Sequence, residues 1–471
     1  MRNSENSDCD IRKNVNHQRI GLADALYSFF VEARPKEAAV PGVLPPQDQY
    51  IPRIVDGQIK SYLEIFGAVE VAGTKWCGKT WTACRHAQSV SYVDEALSLA
   101  RSDPQAMLAG ARPHVIDEWQ KAPMVWNAVR HAIDLQRGLR GAWILTGSAT
   151  PIVRDDIEAQ ALHSGAGRIG RIRMRPMSLA ESGESSGEVS LAKLFEGTFA
   201  HAKVPGDAAS MAALACRGGW PEALDLTAAQ TQIVAREYIK LLLGESVPRH
   251  GKDGEMARRV ALSIARNLGQ AATHKTLLAD ISSPDEPLMT AQTLSSYINL
   301  LMDLYFVEEV PGWVPEWRSP KRLAVKPKRY LADPSLAVAL LGMNERSLLD
   351  DWQTFGLVYE NLCMRDLMVY AQALSESSAT PVRYYRDDSG LEADAVVELA
   401  DGRWAAFEFK LGIAKADQGV ASLKRMRAKL LANPQARTRE PSFMAVVTGT
   451  GEYAYRAEEG IYVVPLRALG A

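Results

Sequence analysis

The chain has 471 residues, enough for two to four domains at roughly 100–200 residues each. Hydrophobic residues make up 47% and charged residues 23%, and 54 Lys and Arg nearly balance 56 Asp and Glu. This excludes collagen-like, mucin-like and wholly disordered chains and makes any basic surface a local one.

The first 20 residues are polar and read as a tail, and residues 21–33 as a short amphipathic helix. A Pro-rich linker follows, so that 1–48 forms a lead-in. Its start lacks the apolar stretch of a secretory signal, and no apolar run reaches the roughly 18 residues that span a bilayer. Five scattered cysteines (Cys9, Cys77, Cys84, Cys216, Cys363) show no CxxC spacing. The expected location is a reducing cytoplasm, without a membrane or a disulfide framework.

Residues 49–185 alternate apolar strand-like runs with helical patterns. The runs are AVEVAG (68–73), VSYVD (90–94), HVIDE (114–118) and WILTGS (143–148), with a helix over 120–136. The alternation predicts an α/β domain on a parallel sheet. Residues 186–345 are rich in helix formers, with the first clear strand at FVEEV (306–310). Residues 346–471 return to mixed α/β with DAVVEL, WAAFEFK, FMAVVTG and IYVVP.

The most specific motif is VEVAGTKWCGKTW. Gly73, Gly78, Lys79 and Thr80 satisfy GxxxxGK[ST] between a strand and a helix. Glycines let backbone N–H groups turn around a polyphosphate, Lys79 offers a cation to its terminal oxygens, and Thr80 offers a hydroxyl to Mg²⁺. The implied ligands are ATP and Mg²⁺. In HVIDEW, Asp117 would complete the Mg²⁺ shell and Glu118 would polarise the attacking water. In ILTGSAT, Thr146 or Ser148 would sense the γ-phosphate. Arg168, Arg171, Arg173 and Arg175 crowd one stretch. Arg168 is the expected arginine finger or phosphate sensor, and the alternation from Arg171 to Arg175 suggests one face of a strand. Cys77 reads as a small residue inside the loop, with a thiol the site could activate.

YIPRIVDGQI, AGTKWCGKT, VIDEWQ, WNAVR, LTGSATP, HSGAGRI, RMRPMSLAESG and RGGWPEA occur in that order. Together they resemble a family of prokaryotic AAA-type ATPases with a C-terminal region named "domain of unknown function 4143". The resemblance runs from about Tyr50 to Ala471. It implies a P-loop ATPase core, a helical and winged-helix middle, and a C-terminal fold similar to PD-(D/E)XK nucleases. The chain departs from the commoner pattern in Trp76 and in its lead-in.

In the middle region, HKTLLADI (274–281) and TAQTLSSYINLLMDLY (290–305) read as two helices, followed by FVEEV and a return strand near KRYLAD. The second helix would turn Leu294, Ile298, Leu301 and Met302 to one face. This order resembles a winged helix. The intervening wing (318–329) carries Arg318, Lys321, Arg322, Lys326, Lys328 and Arg329 without an acid. It is a candidate phosphate-contacting surface for DNA or a solvated face used for protein contacts.

In the C-terminal region, Asp394 precedes one strand, with Glu408 and Lys410 two apart on the next. An Asp401–Gly402 turn would bring them together as a hairpin. Glu360, on a preceding helix, would complete the cluster. Such carboxylates with a lysine are a candidate second Mg²⁺ site able to activate water. The positions match the nuclease-like pattern that the resemblance implies, with cleavage left open. The expected function is a Mg²⁺-dependent ATPase acting on or with DNA, with oligomerisation open. The alternatives are a slow ATP-driven regulatory switch with partner-binding domains, or an ATP-gated nuclease.

Overall fold

A computed structural model describes residues 42–149, 164–282, 289–316, 319, 322, 325–374, 377–432 and 438–471. The expected tail and helix within residues 1–33, and the wing residues Arg318 and Lys321, lie outside these.

The first layered unit is built on β1 (Ala68–Gly73), β2 (Ser89–Tyr92), β3 (His114–Asp117), β4 (Trp143–Gly147) and β5 (Ile169–Met174). Every pairing is parallel, in the order β2–β3–β4–β1–β5. Strands covered on both faces read as continuous apolar runs, as β1, β3 and β4 do. Their alternate residues feed two different cores. Val69, Val71, Val115 and Ile144 pack on one side with Ile59 of α1 (Asp56–Ile65) and Cys84 of α2 (Lys79–Arg85). Ala68, Ile116 and Leu145 pack on the other with Val125, Trp126 and Val129 of α3 (Met124–Leu135). The class is thus α/β with a doubly covered parallel sheet.

Helices dominate residues 208–303. The last two, α4 (His274–Ile281) and α5 (Ala291–Asp303), begin at Thr273 and Thr290, each accepting a backbone N–H three residues on. Leu294, Ile298 and Leu301 are buried, and Met302 packs against that core. Antiparallel β6 (Val307–Val310) and β7 (Lys328–Leu331) follow.

The C-terminal unit joins α6 (Trp352–Gln372), β7's successor strands β8 (Ser377–Arg386), β9 (Glu392–Leu399) and β10 (Trp404–Lys410), α7 (Ala416–Leu431), β11 (Phe443–Thr448), β12 (Tyr453–Glu458) and β13 (Ile461–Pro465). Its mixed sheet runs β8–β9–β10–β11–β13–β12, and Ala202–Lys203 adds a short seventh strand. Val189–Ser190 likewise pairs with Leu469–Gly470. Part of the stretch that the sequence assigns to the helical region therefore belongs with the C-terminal unit. Among the described residues, no helix is long and apolar enough to cross a membrane.

Candidate nucleotide site

The carboxyl ends of β1, β3 and β4 lie side by side, and the crevice beyond such ends is where ligands bind in open α/β sheets. The phosphate loop leaves β1 through Gly73, where a Cβ would come within 1.9 Å of the Met174 carbonyl oxygen. Gly78 closes the loop at φ 95°, a left-handed conformation suited to glycine. Lys79 is buried, and its Nζ donates to the Thr74 carbonyl at 2.8 Å.

Thr80 Oγ1 donates to Asp117 Oδ1 at 2.8 Å, so the two expected Mg²⁺-binding residues meet. Burial pushes the Asp117 carboxyl up, while the Thr146 and Thr80 hydroxyls pull it down. A buried carboxylate beside a hydroxyl is a hard-oxygen pair that fits Mg²⁺. Glu118 follows at φ 56°, uncommon for a residue with a side chain. Its Oε2 accepts from Gln120 Nε2 at 2.8 Å and from Ser148 Oγ at 3.4 Å.

Thr146 and Ser148 part company. Thr146 is fully buried, bonds to the Asp117 carboxylate, and accepts the Glu118 N–H at 3.3 Å. It holds the two acids rather than facing the cleft. Ser148 does line the cleft, a space of about 710 Å³ shared by Lys75, Glu118, Gln120, Arg249 and His250. The last two come from the helical region, and sequence patterning gave them no role.

Arg168 is a correction. It precedes β5, and its carbonyl accepts from Ala68 N at the start of β1, the sheet edge opposite the phosphate loop. Its guanidinium pairs with Asp134 at 2.8 Å. These contacts place it away from the phosphate loop of its own chain. Arg171, Arg173 and Arg175 alternate as expected and are ion-paired. Arg171 meets Glu70 at 3.2 Å, while Arg173 and Arg175 meet Glu308 of β6 at 3.1 and 3.0 Å. Cys77 has no exposed surface and acts as a packing residue.

Arg53 was missed. It donates to the loop carbonyl of Cys77 at 2.7 Å and to the Arg175 carbonyl at 2.8 Å, and it pairs with Glu181 at 3.0 Å. The signal was present in YIPR and LAESG, quoted for the resemblance without a role. Thr74 Oγ1 also reaches the Tyr305 carbonyl at 3.2 Å, tying the loop to the segment that enters β6.

The basic wing is a second correction. Arg322 pairs with Glu398 at 2.6 Å, Arg329 with Glu309 at 2.7 Å, and Lys328 with Glu392 at 2.6 Å. Lys328 and Arg329 are buried and only Lys326, of the four described, is exposed. Among the described residues, Arg322, Lys328 and Arg329 thus neutralise acids of the protein itself.

Glu360, Asp394, Glu408 and Lys410 do gather at one cleft of about 640 Å³. The expected metal cage does not form there. Among the described residues no group of three or more His, Cys, Asp or Glu is arranged to hold a metal ion.

Fold and site together define a protein with a P-loop α/β unit. Residues 66–183 match the family described as "AAA domain", residues 209–347 "Domain of unknown function (DUF8612)", and residues 355–469 "Domain of unknown function (DUF4143)". The chain is an AAA-domain protein with a C-terminal DUF4143 region. Two uncharacterized mycobacterial proteins, Mb2031c of Mycobacterium bovis and Rv2008c of Mycobacterium tuberculosis, are each 24% identical over 312 residues. The match covers 66% of this chain and 61% of theirs. Among solved structures the chain is similar to the Walker-type ATPase paby2304 of Pyrococcus abyssi. The identity is 12%, over 64% of this chain and 96% of that one, at a TM-score of 0.40. It is also similar to the Aeropyrum pernix ORC1 protein, solved in complex with DNA. There the identity is 14%, over 68% and 97%, at a TM-score of 0.26. Neither likeness bears on the chemistry.

Proposed function

We propose that the chain is a Mg²⁺-dependent ATPase whose catalytic groups lie at the carboxyl edge of the five-stranded sheet. The observation that carries this reading is the meeting of Thr80 and Asp117 beside Glu118 and the phosphate loop. The loop's N–H groups and Lys79 bind the terminal phosphates. Thr80 and Asp117 would hold Mg²⁺, which supplies charge neutralisation on the phosphate oxygens. Glu118 polarises the attacking water, held by Gln120 and Ser148. Thr146 positions both acids. A finger role for Arg168 is restricted to the nucleotide of a neighbouring copy.

We take the units to be 49–185, 186–345 and 346–471. The middle order of two helices and two strands supports a winged helix. A role with DNA would have to use surfaces other than Arg322, Lys328 and Arg329. The slow-switch reading is favoured by one feature: the loop is bonded through Thr74 to Tyr305, just before β6, and Arg173 of β5 and Arg175 beyond it pair with Glu308 of β6. Nucleotide state would then be felt in the middle unit, and turnover rate separates the two readings.

Lys79→Ala tests the site itself. The loop loses its buried cation, and truncating one partner of a buried charge contact costs about 2 kcal/mol or more, at least about 30-fold in Kd. Equilibrium titration with ATP and Mg²⁺ checks this. Affinity equal to that of the unchanged protein would remove the proposal.

A further inference from the structure

The resemblance implies a divalent cation among Glu360, Asp394 and Glu408, and the side chains present do not fit one. β7 carries Lys328 into the cluster. Its Nζ lies 2.6 Å from Glu392 Oε1, 3.2 Å from Glu360 Oε1 and 3.7 Å from Asp394 Oδ1. The side chain is only 2% exposed. One ammonium is therefore surrounded by carboxylates from α6 and β9.

Further donors reach oxygens of the cluster. Asp394 Oδ2 accepts from Phe409 N at 2.7 Å and faces Lys410 Nζ at 3.8 Å. Lys410 sits 2.5 Å from Glu408 Oε2. Glu360 Oε1 accepts from Tyr330 OH at 2.7 Å. Metal ligands must offer lone pairs to the ion, and ammonium, N–H and O–H donors bring protons to those same lone pairs. Burial pushes the Glu360 carboxyl up to about 7, against the pull of Lys328.

We propose that Lys328 is the resident cation of the C-terminal cluster. It takes the place a divalent metal would fill, so the cluster is an ion-paired joint between β7 and the C-terminal sheet and does not cleave phosphodiesters. β7 pairs with β6, whose Glu308 binds Arg173 of the first sheet and Arg175 just beyond it. The joint therefore fastens the C-terminal unit to the same two-stranded element that the nucleotide-binding unit grips. This inference stands apart from the ATPase reading, since none of its residues belongs to the nucleotide site.

The test is a Mn²⁺ titration of the full chain without nucleotide, comparing the unchanged protein with Asp394→Asn. Any Mn²⁺ at the phosphate loop is common to both. The expected result is one shared isotherm. Tighter or additional binding in the unchanged protein, lost in Asp394→Asn, overturns the proposal. Lys328→Met should gain one Mn²⁺ site at least tenfold tighter than anything the unchanged cluster shows, and that site should vanish in Lys328→Met with Asp394→Asn. A folded Lys328→Met, verified by retained ATP binding, that gains nothing also overturns it. If that variant does not fold, the first comparison decides alone. DNA cleavage by the unchanged protein that Asp394→Asn abolishes would likewise sink the idea.

Discussion

Glu118→Gln should lower ATP turnover at least about a hundredfold, the usual weight of a positioned acid–base group, while ATP binding stays near that of the unchanged protein. The amide has the shape of the carboxylate and can keep a contact with Gln120 and Ser148. It lacks the charge that draws a proton from water. Binding rests on the loop's N–H groups, Lys79 and Thr80, and the Glu118 carboxylate supplies none of these contacts. The backbone of Glu118 adds support. A residue held at φ 56° persists only where its surroundings fix it, and such residues concentrate at functional sites. Here the fixing contacts include the N–H bond to Thr146. Phosphate release under saturating ATP gives the rate, and a separate titration gives affinity. Undiminished turnover would move water activation elsewhere. Loss of binding together with turnover would make Glu118 a structural residue of the crevice.

What could be read in the sequence depended on whether the deciding partner was local. AVEVAG, HVIDE and WILTGS were legible because strands buried on both faces carry continuous apolar runs. WAAFEFK and IYVVP were legible for the same reason, and their bounds agree with β10 and β13. β12 was missed because only Ala454 of its residues is buried, and the polar start of β8 hid that strand. Lys328 and Arg329 looked like part of a solvated basic stripe because their acids lie elsewhere in the chain. Glu360 is 32 residues beyond Lys328, and Glu398 is 76 residues beyond Arg322. A local count of charges cannot see such partners. Arg168 is a different case. In an all-parallel sheet, residues that precede a strand sit at the edge opposite those that follow one. Its distance from the phosphate loop was therefore implied once the sheet was taken as parallel and Arg168 as preceding a strand.

Arg365→Met should lower the stability of the chain by about 3–5 kcal/mol, the range for breaking a buried ion pair by removing one partner. Arg365 NH1 lies 2.8 Å from Asp333 Oδ2, and NH2 lies 2.7 Å from Asp366 Oδ1. The Arg365 side chain is 2% exposed, and the two carboxylates have no exposed surface. Burial pushes the Asp366 carboxyl up against the pull of this guanidinium. Methionine keeps much of the volume and leaves two anions facing each other without a cation. The effect reaches beyond α6 because both carboxylates also hold backbone. Asp333 accepts the Gly219 N–H at 2.9 Å, and Asp366 accepts the Leu179 N–H at 3.1 Å. Gly219 in turn receives the Met177 N–H at 2.7 Å, at a spot where a Cβ would lie 2.1 Å from the Met177 carbonyl oxygen. One guanidinium thus fixes the segment leaving the nucleotide-binding unit, the turn before Trp220, the end of β7 and the long C-terminal helix. Urea unfolding followed by fluorescence checks the magnitude. The variant that also carries Asp333→Asn and Asp366→Asn should be more stable than Arg365→Met alone, because the uncompensated charge is gone. An unchanged midpoint in Arg365→Met would mean that the three side chains contribute no net stability. A triple variant weaker than the single would mean that the carboxylates matter chiefly as acceptors of the Gly219 and Leu179 amides, with the charge balance secondary.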